Sequence, residues 1–300
     1  MDDAITSISF IGFGEAAQAF AEGLRVENPD LALAATDPRF AGPEAGALRR
    51  QADAAGVAVH DDIPTAAGES DLVISMVVAK AAVDVAHAAR GAGREGALYL
   101  DVNSASPATK QQVAAALAGS AFDFVDGAIM AAVPPKRHKT PIVLAGPSAD
   151  GLAERLGALG FDAEAVGDEI GTASAIKMFR SIMIKGIEAL MLECVDAARH
   201  YGAAERVLEA VGSGFPGIDW RERATYYAGR TATHGTRRAA EMLQVAETAR
   251  GLGIEPIMAE AASRRLAWAS EGGLAAPAGG GFTSLAELCD ALAAVKRSQR

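Results

Sequence analysis

One stretch constrains this chain more than any other, Ser7 to Leu24, which reads Ser-Ile-Ser-Phe-Ile-Gly-Phe-Gly-Glu-Ala-Ala-Gln-Ala-Phe-Ala-Glu-Gly-Leu. A short β-rich run, Ile8 to Ile11, breaks at Gly12; Gly14 follows, and Ala17 stands where the third small residue of a G-x-G-x-x-G/A turn belongs. The order is strand, tight turn, helix. Each small residue has a mechanical reason. Gly12 allows the turn, Gly14 lets backbone approach a pyrophosphate, and Ala17 lets the helix pack close on the strand. A helix starting near Glu15 offers free N–H groups and the positive end of its dipole to phosphates. A second apolar run, Leu31 to Thr36, ends in Asp37, about 20 residues past the turn, where an acid can bind a ribose 2′-OH. The unit predicts a dinucleotide site.

Three hundred residues, half of them apolar, can bury a full core and suggest one large or two ordinary domains. A net charge of −10 argues against nucleic acid or an anionic membrane as partner, since phosphate would be repelled. The start, Met-Asp-Asp-Ala, has no basic n-region or apolar h-region, and no apolar run approaches the length of a bilayer span. The expectation is a cytoplasmic protein. Cys194 and Cys289 lie far apart in apolar, helix-like surroundings and read as reduced core thiols. The five histidines show no metal-ligand spacing, so no metal is expected.

Along the chain, helical stretches at Gly42 to Ala55, Ala81 to Arg90, Pro107 to Leu117 and Ala149 to Leu159 alternate with strands. The strands are Val57 to His60, Leu72 to Val78, Ala97 to Asp101, Phe122 to Ile129, Ile142 to Ala145 and Ala163 to Val166. That alternation predicts a mostly parallel, doubly wound α/β sheet of Rossmann type. Ligands in such sheets collect at the carboxyl ends of the strands, so the loops starting at Gly12, Asp37, Val78, Asp101 and Asp126 should converge. Past Gly171 the pattern becomes helical. Ala173 to Tyr201 forms one run, about 40 Å long if fully helical, expected to bridge two domains. Helices follow at Glu205 to Val211, Trp220 to Tyr227, Arg237 to Leu252, Pro256 to Ser270 and Leu285 to Val295, with a glycine-rich loop from Gly272 to Phe282. The expected domains are 1–169, binding a dinucleotide, and 170–300, all-α.

Three further stretches carry a resemblance. Together with the glycine turn, Asp101-Val-Asn-Ser-Ala-Ser-Pro107, Asp126-Gly-Ala-Ile-Met-Ala-Ala132 and Gly171-Thr-Ala-Ser-Ala-Ile-Lys177 resemble, in order and spacing, the β-hydroxyacid dehydrogenase family, which includes 6-phosphogluconate and 3-hydroxyisobutyrate dehydrogenases. The resemblance implies an NAD(P)-dependent oxidoreductase of a small-molecule substrate, with Lys177 as the catalytic lysine and Asn103 and Ser104 beside nicotinamide and substrate. An ammonium can donate the proton that a carbonyl oxygen needs during hydride transfer, and its neutral form can act as base in oxidation. Cofactor contacts are expected at Gly12, Phe13, Gly14, Glu15 and Ala16, at Asp37 and Arg39, and at Val77, Val78 and Asn103. Asp37 favours NAD over NADP, because a carboxylate near a 2′-phosphate is repulsive; Arg39 could accept that phosphate instead. Relatives pack their helical domains together, which implies a homodimer through the C-terminal helices.

The departures bear on the substrate. Ser181 stands where the family usually has asparagine, and one hydroxyl replaces one amide contact, not two. Met130-Ala131-Ala132 stands where the family has Ser-Gly-Gly, which narrows the approach to backbone and speaks against a plain short hydroxyacid. Ile184 replaces the glutamate of 6-phosphogluconate dehydrogenase, so oxidative decarboxylation by that mechanism is not expected. Lys177, Ser181, Lys185 and Glu188 share one helical face, the last two as a solvated or structural pair. His234, Arg237, Arg238 and Glu241 share another; they could reach a carboxylate or phosphate, although a charged surface ladder is the commoner arrangement. Lys136-Arg137-His138-Lys139 reads as a solvated hairpin turn, or else as an anion-gripping loop. Two other functions stay open: imine reduction on the same scaffold, against which Lys177 argues, and nucleotide binding without turnover.

Overall fold

The computed structural model describes residues 4–295 except 44, 69, 276 and 278–280. The chain divides into two compact units, Met1–Lys177 and Met178–Arg300.

In the first unit strands and helices alternate: β1 (Ser7–Ile11), α1 (Glu15–Glu27), β2 (Ala32–Thr36), α2 (Ala45–Ala54), β3 (Val57–Val59), α3 (Ile63–Gly68), β4 (Leu72–Ser75), α4 (Ala82–Ala89), β5 (Ala97–Asp101), α5 (Pro107–Leu117), β6 (Phe122–Ile129), β7 (Ile142–Ala145), α6 (Ala149–Ala158) and β8 (Ala163–Ala165). The strands form one sheet in the order β3-β2-β1-β4-β5-β6-β7-β8, parallel throughout except for the antiparallel β6–β7 pair. Strand order reverses between β1 and β4, which opens a crevice at their carboxyl ends. The uninterrupted apolar runs arise because the sheet is buried on both faces. Ile8, Phe10, Leu72, Ile74, Leu98 and Leu100 join the core on one face, and Ile11, Val73 and Tyr99 join the core on the other. β4 ends at Ser75 rather than at Val78, because the chain turns away after Met76 to meet the next strand's loop. The helix α3 had no periodic signal of its own; it is six residues long, and Asp62 Oδ1 accepts from Thr65 N–H at its start.

The basic run between β6 and β7 corrects an expectation. It is a short 3₁₀ turn, Arg137–Lys139, docked on α1 rather than solvated throughout. His138 is 1% exposed and packs edge-on to Phe161, 5.4 Å between ring centres. It fits because position 23 on α1 is glycine: a Cβ there would overlap the imidazole. Lys139 Nζ meets Glu27 at 2.8 Å, and His138 Nε2 lies 3.5 Å from the same carboxylate. Burial, helped by Lys139 and Arg137 and opposed by Glu27, holds the His138 pKa below its ordinary value. The fold therefore favours neutral His138, whose stabilising contribution is present above about pH 6.5 and is lost as pH falls through the lower folded value. The unfolding midpoint should fall between pH 7.5 and pH 5.5 in the wild type and fall less in His138→Gln, as read by circular dichroism melts.

The helix α7 (Thr172–Arg199) begins in the first unit and ends in the second. The second unit continues with α8 (Ala204–Gly214), α9 (Trp220–Gly251), α10 (Ile257–Glu271) and α11 (Leu285–Ala294), and every described regular element past Gly171 is helical. The two separate helices expected at Trp220 to Tyr227 and Arg237 to Leu252 are one helix of 32 residues. Its glycines do not break it because packing outweighs propensity: at Gly235 a Cβ would lie 2.8 Å from Ser270 Cβ of α10, so the small residue admits the neighbour. The glycine-rich stretch from Gly272 to Phe282 lies in part outside the described residues. Among the described residues no helix is long and apolar enough to cross a membrane.

Candidate functional site

The crevice at the β1–β4 reversal is built around the first glycine turn. Gly12 has φ +92°, and a Cβ there would sit 2.5 Å from Met76 O. Its N–H donates to Thr36 O at 2.9 Å, and Met76 N–H donates to Ile11 O at 2.8 Å, so the ends of β1, β2 and β4 are tied together. Gly14, by contrast, faces open space: nothing lies within 4 Å of a Cβ built there. It is the N-cap of α1 and has no side chain to accept from the helix's first N–H groups. Side chains meet that demand on α5 (Ser106), α9 (Asp219) and α11 (Ser284), while α4, α6, α8 and α10 start without one, as α1 does; what sets α1 apart is the open glycine in front of it. A bare helix start behind an open glycine is the geometry that receives a pyrophosphate. Glu15 and Ala16 occupy the first turn of this helix.

Phe13 does a different job from the one expected. Its side chain is buried against Phe40, 5.8 Å between ring centres. Its N–H donates to Asp37 Oδ2 at 2.8 Å, and its carbonyl accepts from Gln18 Nε2 and Arg39 Nη2. Phe13 thus holds the turn instead of offering polar groups to a ligand. Asp37 is also engaged: besides Phe13, Arg39 grips both its oxygens, Nε to Oδ1 at 2.9 Å and Nη2 to Oδ2 at 2.7 Å. Burial pushes the Asp37 carboxyl up, but the Arg39 and Phe13 hydrogen bonds outweigh it and hold the pKa below its usual value. What is presented here is a paired carboxylate and guanidinium, not a lone negative charge.

At the end of β5, Asn103 is 5% exposed. Its Oδ1 accepts from Val77 N–H at 2.6 Å, and its Nδ2 donates to Ser75 Oγ and Asp101 Oδ2, both at 2.9 Å. Both amide hydrogens are occupied, so the expected contact from Asn103 to substrate is replaced by a clamp on the loop that carries Val77 and the exposed Val78. The next residue, Ser104, is exposed and accepts from Lys177 Nζ at 3.0 Å. The predicted lysine and the predicted serine are thus in direct contact.

The helix that carries Lys177 is anchored by Asp126, whose Oδ2 accepts from Gly171 N–H and Ser174 N–H, each at 3.1 Å. Its partner, missed from the sequence, is Lys110. This lysine is fully buried, 2.6 Å from Asp101 Oδ1 and 3.3 Å from Asp126 Oδ1. Burial raises the Asp126 pKa, with Lys110 opposing the rise. A signal was present: Lys110 falls with Val113, Ala116 and Leu117 on the buried face of α5, and a cation in such a stripe needs a buried partner. At the end of β6, Met130 packs on Ala128, Ala145 and Ala173, and Ala131 is exposed.

In the second unit, Lys185 Nζ donates to Ser181 Oγ at 3.3 Å and pairs with Glu241 at 2.8 Å. His234 and Arg237 are exposed. Arg238 is neither a rung of a surface ladder nor available to a ligand: it is 4% exposed and bonded through Nε and Nη2 to the fully buried Glu188, which Thr231 Oγ1 also caps. Glu188→Ala should destabilise the protein by about 3–5 kcal/mol by stranding the guanidinium, whereas Glu188→Leu with Arg238→Met should be near neutral; urea unfolding measures both.

The fold and its glycine turn define an NAD-binding α/β domain carrying a helical second unit. Residues 7–159 match the NAD binding domain of 6-phosphogluconate dehydrogenase, and residues 198–269 match a domain of unknown function, DUF1932. The chain belongs to this 6-phosphogluconate dehydrogenase family of NAD-binding, 3-hydroxyacid dehydrogenase-like oxidoreductases. Among solved structures it is similar to a conserved hypothetical protein from Sinorhizobium meliloti 1021, at 43% identity and TM-score 0.82 over 96% of each chain. A conserved protein of unknown function, described as structurally similar to 3-hydroxyacid dehydrogenases, matches at 30% identity and TM-score 0.72, over 87% of this chain and 96% of that one. The Mycobacterium tuberculosis 3-hydroxyisobutyrate dehydrogenase shares the fold, with TM-score 0.73 at 17% identity over 96% of this chain and 99% of that one.

Proposed function

We propose that this protein is an NAD(P)-dependent dehydrogenase or reductase that interconverts a β-hydroxyacid, or a related alcohol, with its carbonyl form, and that Lys177 is its general acid and base. The observation that carries the reading is the Lys177 Nζ contact with Ser104 Oγ at 3.0 Å, at the end of a strand that runs parallel within the sheet whose first strand feeds the bare start of α1. The bound nicotinamide supplies or receives the hydride. Gly14 and the first turn of α1 would hold the pyrophosphate, and Asn103 keeps Val77 in place. In reduction, the Lys177 ammonium gives a proton to the substrate oxygen as the C–O π bond breaks, and solvent restores that proton; in oxidation the neutral amine removes it. Ser104 holds the ammonium, and Ser181, one turn further along α7, is assigned to positioning the substrate.

For the nucleotide, the Asp37–Arg39 pair supports acceptance of both forms. The diol of NAD can donate a hydrogen bond to the Asp37 carboxylate, while the 2′-phosphate of NADP would draw Arg39 away. Arg39→Ala should weaken NADPH binding about tenfold or more and NADH binding by less than about threefold, the loss of one charge-assisted contact, as titrated by fluorescence. We also assign the exposed apolar residues Met183 and Leu190 of α7 and Leu243 of α9 to a homodimer contact. The test of the reading is a cofactor-linked absorbance screen over hydroxyacids, sugar acids and bulkier secondary alcohols with both nucleotides. Turnover of at least one class supports it; binding of nucleotide with no turnover on any would favour a non-catalytic role.

A further inference from the structure

The proton and hydride steps leave Lys110 without a role, yet it is a cation held deep inside the first unit. It is completely buried, as are Asp101 and Asp126. Its three ammonium hydrogens are taken by Asp101 Oδ1 and Asp101 O, each at 2.6 Å, and by Gly127 O at 3.1 Å, while Asp126 Oδ1 is held electrostatically at 3.3 Å. From this one ammonium two paths lead out. Through Asp126 Oδ2 it fixes the N–H groups of Gly171 and Ser174, and so the start of the helix on which Lys177 lies one turn later. Through Asp101 it fixes Asn103, whose backbone N–H donates to Asp101 Oδ1 at 2.9 Å and whose side chain donates to Oδ2, and Ser104 follows directly.

We infer that Lys110 is a positioning residue: it is the common reference that sets the separation of Lys177 and Ser104, although it touches neither. The inference rests on the dehydrogenase reading for its consequence, but not for its geometry. A hydrogen-bonded ammonium surrounded by two carboxylates and two carbonyls has one well-defined position, so the elements attached to it share one fixed reference. A displacement of about 1 Å at a proton donor is enough to cost about 100-fold in rate.

Lys110→Met alone strands two buried carboxylates, so the test uses Lys110→Met with Asp126→Asn in the full chain. This pair leaves the cluster with the same net charge as the wild type, because one cation and one anion are removed together, and the amide introduced at position 126 keeps an acceptor for the start of α7. Asp126→Asn alone is the second variant. It keeps Lys110 but turns an amide donor toward its ammonium, so it breaks the same path even if the double variant does not fold.

Crystal structures and steady-state kinetics are read together. The expected result is a Lys177–Ser104 separation beyond hydrogen-bond distance, with kcat lower by about 100-fold and the substrate KM and nucleotide Kd changed by less than about threefold. A general loss of structure would move KM and Kd as well, and would overturn the assignment. So would an unchanged separation, or an opened one with unchanged kcat. An opened separation in a protein whose wild type turns over no substrate would uphold the positioning and overturn the dehydrogenase reading instead.

Discussion

Lys177→Ala is expected to reduce kcat by between about 100-fold and about 10,000-fold, the range that a positioned general acid contributes, while the nucleotide Kd stays within about threefold of the wild type. The amine meets Ser104 Oγ, whereas the nucleotide's proposed supports are Gly14 and the first turn of α1, so its removal should leave those supports intact. Stability should hardly change, because Lys177 is half-buried and alanine is a good helix former. Steady-state kinetics in both directions and nucleotide titration check the separation of effects. Equal losses in kcat and in nucleotide affinity would place the lysine among the binding groups instead.

Gly14→Val should fold and yet bind NADH or NADPH about 100-fold more weakly or worse, a loss of about 2.7 kcal/mol. A Cβ at this position meets nothing within 4 Å, and the backbone, with φ −81° and ψ −174°, is extended and open to valine. The cost to the helix start is about 1 kcal/mol at most. The branched side chain would fill the space that a pyrophosphate needs. Gly12→Ala should do the reverse and act on the fold first. At φ +92° with Met76 O at 2.5 Å from the new Cβ, strain and overlap together should cost about 3 kcal/mol or more. Calorimetric titration beside urea unfolding distinguishes the two glycines. Normal nucleotide binding by Gly14→Val would remove α1 as the phosphate site.

Much of the first unit is legible in the sequence because its signals are local. Residues such as Leu72 to Ile74 and Ala97 to Leu100 are apolar at consecutive positions since both faces of the sheet are covered, and Gly12 marks a backbone conformation open to glycine. The contact of Lys177 with Ser104 joins two of the motif stretches whose order is visible in the sequence. What stayed hidden depends on partners distant in sequence. Arg238 reads as a surface residue until Glu188, 50 positions away, is seen beneath it. Asp37 reads as a free acid until Arg39 turns back onto it. His138 sits in a basic run, and only the missing side chain at Gly23 explains its burial. The continuity of α9 depended on Gly235 lying against Ser270, where close packing outweighs the cost of glycine in a helix.

The proposed chemistry is hydride exchange with a bound nicotinamide, assisted by the amine at position 177. Its most direct test is isotopic: reduced nucleotide carrying deuterium at nicotinamide C4, with each C4 face labelled in turn, is incubated with the wild type and a carbonyl substrate found in the screen. Mass spectrometry should find deuterium on the product's carbinol carbon from one face only, and almost none in the same time with Lys177→Ala. Product formed without the label from either face, or formed equally fast by the variant, would contradict the account.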